Sequence, residues 1–407
     1  MRAPAALALL REPNYRRLWA ASAVSWLGDR MVGVALAFAV LSITKSPSAL
    51  GLVLTARMAP VVAFLLVGGV IADRLPRRAL MVTADLARLA TQGAMAALLI
   101  AGVAEVWMLA ALAAAGGVAT AFFTPAAMGL MPAVVDPERL KDANALRGMA
   151  LSAGEVSGPL LAGVLVAGPG PGWALAVDAG TFGVSALFLV RLRLPAHASS
   201  AAEPFLAQLR EGWAEVRSRR WLSALIVNVS LINLTWGAFG VLGPLVADRE
   251  LGGAAAWSYV VGALGAGTVA GGLVVLRLRA ERPLLVSATV ALLFTLPLAG
   301  LAAGASTALV VGLTFLGGVA LMIGNTLWDT TLQRHVPDAM LSRVTSYAEV
   351  GALAAAPVGY AIWGPVGGAV GIAPALWLAF GAQVAATLGM LAIRDVRELR
   401  ASPRAPA

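Results

Sequence analysis

The chain holds no cysteine and only two histidines in 407 residues, and just 13% of its residues are charged. Without cysteine there is no disulfide, no thiolate nucleophile and no iron–sulfur or cysteine-type zinc site. His197 and His335 stand far apart in polar stretches, which speaks against a histidine-based metal cluster. No metal and no cofactor are expected. The shortage of charge accompanies 59% hydrophobic residues and a mean hydropathy of +0.83, whereas soluble domains average about 45–50% apolar and about 25% charged residues. A water-soluble fold of this composition would expose apolar areas that soluble monomers rarely show. An ordinary cytosolic enzyme, a disordered chain and a disulfide scaffold are thereby excluded. Lysine is scarce too, Lys45 and Lys141 standing among a set dominated by arginine. The isoelectric point of 11.0 would point to nucleic acid in a soluble protein; here the location of the charge decides, and no nucleic-acid partner is expected.

Long apolar runs take the place of what is missing. A bilayer core about 30 Å thick needs around 20 apolar residues per helix. Twelve such runs follow one another near 18–43, 49–72, 79–102, 107–131, 145–167, 173–191, 222–247, 256–276, 284–304, 307–330, 344–364 and 373–393. The first does not read as a cleavable signal, because Ala5–Leu10 is too short and no small-residue cleavage site follows the long run. The breaks Gly168–Gly172 and Gly364–Gly368 read as tight turns. With twelve spans both termini share one side. A cytoplasmic N-terminus places 24 of the 30 basic residues on inner breaks and only Lys45 and Arg249 on outer ones, as the positive-inside rule requires. Arg30, Arg57, Arg88 and Arg147 remain within spans.

The longest break divides the spans six and six. The expected organisation is an N-terminal six-helix bundle over 1–192, a cytoplasmic linker over 193–220, a C-terminal six-helix bundle over 221–394 and a cytoplasmic tail over 395–407. Phe205, Leu209, Trp213 and Val216 share one helical face in the linker, with Arg210 and Arg217 on the polar side, which reads as an amphipathic helix on the inner leaflet. The halves also repeat. Arg16-Arg17 matches Arg219-Arg220, Gly69 matches Gly272, Val135 matches Val336 and Gly158-Pro159 matches Ala356-Pro357, at offsets of 203, 203, 201 and 198. Two repeated halves with a path between them are a common transporter plan.

After the second run comes Gly69-Val70-Ile71-Ala72-Asp73-Arg74-Leu75-Pro76-Arg77-Arg78. This closely resembles the Gly-x-x-x-Asp-Arg-x-Gly-Arg-Arg signature of the major facilitator superfamily, with Pro76 where Gly is usual. The resemblance implies a cytoplasmic latch made by Gly69, Asp73, Arg74, Arg77 and Arg78, with Asp73 facing a helix N-terminus and the arginines pairing with carboxylates or lipid phosphate. The plainer alternative makes the arginines positive-inside anchors. Other segments resemble the macrolide-efflux and enterobactin-export branch: Pro13-Asn14-Tyr15-Arg16-Arg17-Leu18, Ser25-x-x-Gly28-Asp29, Asp85-Leu86-Ala87-Arg88, Val177-Asp178-Ala179-x-x-Phe182, and Leu332-Gln333-Arg334-x-Val336-Pro337 with Leu341-Ser342-Arg343-Val344. Gly154, Gly158, Pro159 and Gly163 in the fifth run are similar to an element of the superfamily's drug antiporters; close helix packing explains them equally well. The fourth run lacks the buried Arg that many drug–proton antiporters carry there.

Ionisable residues within spans are costly and face a cavity or a partner. Asp29 and Glu155 fall near the midplane and Asp178 nearer the outer end of its span, so these three are the proton-coupling candidates; a carboxylate exposed to each side in turn loads and releases a proton. The structural alternative is a permanent ion pair, such as Asp29 with Arg57 or Glu155 with Arg147. Asp85 and Arg88 lie three residues apart on one face and are expected to pair with each other or with the Asp73 loop. Asp329 and Glu349, near inner helix ends, are candidates for the opposite half of the latch. Trp26, Phe123, Asn233, Trp236, Asn325 and Trp328 are the candidate wall of an apolar, aromatic cavity suited to amphiphiles; Phe38, Phe122 and Phe239 are further aromatics in these spans.

The chain is thus expected to be an all-α membrane protein of the major facilitator fold, monomeric, in a bacterial inner membrane with both termini cytoplasmic, and not an enzyme. The expected function is proton-coupled efflux of a small amphiphilic drug-like or secondary-metabolite molecule. A dedicated siderophore or metabolite exporter, or a non-transporting membrane sensor with the same fold, are the alternatives.

Overall fold

A backbone in hydrocarbon has no water to bond, so apolar runs this long become helices that close their own hydrogen bonds. A computed structural model describes residues 7–192, 220–336 and 338–401, and among these residues there is no strand. Twelve long helices follow in order: α1 Pro13–Ile43, α2 Pro47–Arg74, α3 Arg77–Ile100, α4 Val106–Val134, α5 Leu140–Ala167, α6 Pro171–Val190, α7 Arg220–Val246, α8 Gly253–Val275, α9 Pro283–Ala302, α10 Thr307–His335, α11 Asp338–Val370 and α12 Ile372–Ala392. Within α9 a tighter turn at Leu293–Thr295 precedes Pro297. Eleven of the twelve are long and apolar enough to cross a membrane by length and composition. The exception, α3, carries Asp85, Arg88 and Gln92 on the stripe Met81, Ala84, Asp85, Arg88, Gln92 and Met95, and that stripe is buried. Its charges therefore face protein, as charges in a span must. The amphipathic stretch expected over 205–216 lies outside the described residues.

The chain divides into two compact units. The first holds α1, most of α2, α3 to α6 and residues Gly253–Ser258; the second holds Ser46–Gly51, α7, the rest of α8 and α9 to α12. Inside the first, α1 packs on α5 and α6, and α3 packs on α4 and α6. Inside the second, α7 packs on α11 and α12, and α9 on α10 and α12. The same pairing thus occurs twice, six helices apart.

Turn geometry repeats with it. Gly102 after α3 and Gly304 after α9 both have positive φ, 71° and 64°. Each chain reversal closes with the same two bonds: Gly102 N–H to Leu99 O and Val103 N–H to Leu98 O, then Gly304 N–H to Leu301 O and Ala305 N–H to Gly300 O. Gly170 before α6 (φ 107°, ψ 169°) matches Gly371 before α12 (φ 93°, ψ 160°). Such backbone angles favour glycine.

Gly371 also corrects an expectation. The turn read at Gly364–Gly368 is helix: α11 runs through Pro365 to Val370, and the chain reverses at Gly371. Proline removes one donor, but neighbouring helices make a Pro in a membrane helix tolerable, whereas the reversal needs a positive φ.

Hydrophobic association is weak between helices already surrounded by lipid, so close packing of small side chains supplies the contact. One core of the first unit joins Ala21, Ala84, Ala119 and Ala126 around Leu18, Met81, Phe123 and Leu189. Its counterpart in the second joins Leu222, Leu225, Leu284, Ala288, Leu332 and Val344.

Candidate functional site

The first unit encloses a charged cluster drawn from α1, α2, α3 and α6. Arg88 is buried and bonds Asp85, its neighbour one turn earlier, and Asp29 on α1 at 3.3 Å. Ser185 on α6 donates to the second Asp85 oxygen at 2.6 Å. The Arg88 guanidinium lies 4.1 Å from the Phe123 ring centre and 4.2 Å from that of Phe182, an attractive placement for a cation over a ring face. Phe123, expected on a cavity wall, is buried as one side of this sandwich.

Asp178 on α6 completes the cluster. It is fully buried, and neither carboxylate oxygen has a hydrogen-bond partner among the described residues. Asp29, Arg57 and Arg88 are the charges that act on it. The room it occupies comes from Gly28, where a Cβ would strike the Asp178 carboxylate and the Thr181 hydroxyl. The Gly28-Asp29 pair therefore lets α6 press its acid against α1 and sets a second acid beside it. A cavity of about 20 Å³ adjoins, lined by Asp29, Arg57, Arg88, Thr91 and Gln92 among others; it has room for about one water.

The expected pairings change partner. Glu155 bridges Arg30 at 2.9 Å, not Arg147. Gly158 lets α5 approach α1 there, since a Cβ at that position would press on Leu27 and Arg30, and Gly154 and Gly163 are buried in the same helix with Pro159. Arg147 instead lies 5.2 Å from the centre of the Trp26 ring. Asp29 bonds Arg88 rather than Arg57, which borders the same small cavity without an ion pair among the described residues. Of the loop motif, Gly69 lies in α2, and the side chains of Asp73 and Arg74 are outside what the structure describes. Arg77 donates to the Gly129 carbonyl, and Arg78 donates to Leu192 O at 2.7 Å, with Arg17 on Arg191 O at 2.9 Å. The last two satisfy carbonyls that the end of α6 leaves free.

The second unit holds a cavity of about 340 Å³, within the usual range for small organic ligands. Asn233, Asn325 and Trp328 line it. Asp329 and Glu349, expected at a latch, line it as well. Trp236 does not; it stacks between Phe239 and Phe294 at 4.3 and 4.1 Å, and Phe294 forms the wall. Asn228 and Ser287 also line it and were not singled out from sequence. Asn228 is one of few polar residues inside the apolar run of α7, a signal equal to that of Asn233.

Residues 4–406 match the family described as transmembrane secretion effector. The enterobactin exporter EntS of Shigella boydii serotype 18 is 28% identical over 408 residues, covering 98% of this chain and 96% of the exporter. Among solved structures, the nucleoside transporter NupG superposes with a TM-score of 0.71 at 14% identity, covering 93% of this chain and 98% of NupG. A bacterial homologue of the iron transporter ferroportin, in its inward-facing state, gives 0.71 at 18% identity, over 93% and 97%.

Proposed function

The chain belongs to the transmembrane secretion effector family and is a multi-pass membrane transporter with the major facilitator fold, and on that premise we propose that it exports a small amphiphilic organic molecule in exchange for protons. The observation that carries the coupling is the charge balance of the buried cluster. Asp29, Asp85 and Asp178 face Arg57 and Arg88, so neutrality in a medium that penalises unpaired charge requires one proton. Asp178 is the seat of that proton, because neither of its oxygens is bonded. Movement of α1 against α6 at Gly28 opens the site to water and releases the proton. Glu155, held by Arg30, acts as a structural pair.

In the same reading the Gly69–Arg78 loop latches the inner side of a monomer in the cytoplasmic membrane, both termini inside. Proteoliposomes with an imposed pH gradient and a panel of neutral, cationic and anionic amphiphilic dyes test the coupling. Asp178→Asn is expected to abolish uphill transport while downhill flux continues. Full gradient-driven transport in both Asp178→Asn and Asp29→Asn would sink it.

A second reading, export of a siderophore or another dedicated metabolite, is favoured by the likeness to an enterobactin exporter along nearly the whole chain. Its measure is the siderophore content of the medium around an iron-starved deletion strain.

A further inference from the structure

Among the described residues, the cavity of the second unit carries two carboxylates and no cation to answer them. Asp329 on α10 and Glu349 on α11 both line it, and its described lining includes no lysine, arginine or histidine. Neither acid makes an ion pair or a hydrogen bond among the described residues. Most embedded charges of the first unit are held differently, Asp178 and Arg57 excepted: Glu155 is held by Arg30, Asp29 and Asp85 by Arg88, and Arg147 lies over Trp26. Charges inside spans meet a partner or water, and they mark substrate paths. Two such acids on one cavity wall are therefore a place for a counter-charge that the described residues do not supply.

A second feature borders the same space. Asn228 on α7 lines the cavity, is only 5% exposed, and its side-chain oxygen accepts no hydrogen bond among the described residues. Burying such an acceptor without a donor is unfavourable, so an occupant with an N–H group restores what is missing. Phe294 and Trp328 complete the wall, and aromatic faces also attract cations.

We infer that this cavity binds an organic cation, a protonated amine or related ammonium on an apolar or aromatic body. Its charge lies against Asp329 and Glu349, its N–H is donated to Asn228 Oδ1, and its body packs on Phe294 and Trp328. This names the substrate class of the exporter proposed above and rests on that reading for its physiological meaning. A polyanionic substrate would meet two like charges here, which selects against it.

The test is equilibrium binding to the full-length protein in lipid nanodiscs, with no gradient and with empty nanodiscs as the blank. Tetraphenylphosphonium and tetraphenylborate, ions of nearly the same shape and opposite charge, are titrated separately, and ethidium serves as an aromatic cation bearing N–H donors. Both cations are expected to saturate and the borate is not. Asp329→Asn with Glu349→Gln should weaken both cations about tenfold or more, and Asn228→Leu should weaken ethidium more than the phosphonium. Equal binding of phosphonium and borate by the unaltered protein overturns the inference, with no variant needed. Unchanged cation affinity in a double variant that elutes as the same single species overturns it as well. Loss of gradient-driven flux in proteoliposomes would sink the exporter reading alone, since this binding is measured without a gradient.

Discussion

Arg88 joins four helices of the first unit: its own, α1 through Asp29, α4 through the Phe123 ring and α6 through the Phe182 ring, with Asp85 bonded in turn to Ser185. A buried ion pair is costly to desolvate, and taking away one partner is worse than taking away both, because the survivor keeps its charge without compensation. Arg88→Gln is therefore expected to destabilise by roughly 3–5 kcal/mol. Arg88→Gln combined with Asp85→Asn should cost less than Arg88→Gln alone. Thermal unfolding of the four proteins of this cycle in detergent gives the coupling directly; strictly additive effects would mean that the pair does not act as one. The Asp85–Arg88 contact could be read from the sequence, since residues three apart share a helix face. The Asp29–Arg88 and Arg30–Glu155 contacts could not, because they depend on which helices become neighbours. The expected Glu155–Arg147 pair fails on simple geometry: eight residues along a helix rise about 12 Å, while Gly158 brings α1 and Arg30 close.

At the scale of the element, run length was enough to find the spans, because a bilayer sets one length for every helix that crosses it. The sequence placed one turn wrongly, because glycine and proline carry two meanings in membrane helices. They mark reversals in loops, and they also occur inside spans more often than in soluble helices. Gly168–Gly172 is the first case and Gly364–Gly368 the second. What separates them is backbone sign, which composition does not reveal: Gly371, outside the cluster, has φ 93°. Gly371→Ala should consequently cost roughly 1–2 kcal/mol, the strain of an L-residue at positive φ, whereas Pro365→Ala should leave stability unchanged or raise it, since it restores a helical donor. Melting temperatures of the two purified variants decide this, and the opposite ranking would return the turn to Pro365.

At the scale of the whole molecule, the two units share helix pairing and turn geometry but not charge. The first buries Asp85, Arg88 and Asp178 in one cluster; the second has carboxylates open to a cavity. On the proposed reading, such a division gives ion coupling and substrate recognition to different repeats, and it depends on all twelve helices crossing, α3 included. That helix is the one whose composition falls short, yet Asp85 and Arg88 are buried while Leu86 and Ile100 are exposed, so its outer face suits lipid. The absence of cysteine makes this testable, because any introduced thiol is unique. Val103→Cys between α3 and α4, Glu281→Cys between α8 and α9, and Ser306→Cys between α9 and α10 report three breaks. With twelve crossings and an inner N-terminus, a membrane-impermeant maleimide should label positions 103 and 306 in intact cells and position 281 only after permeabilisation. If α3 did not cross, every one of the three would change side, because each break after α3 is shifted by one crossing. An inverted result at all three sites would therefore remove either the orientation set by the 24 inner basic residues or the twelfth span. A thiol placed in the α1–α2 break, ahead of α3, keeps its side in the second case and changes it in the first.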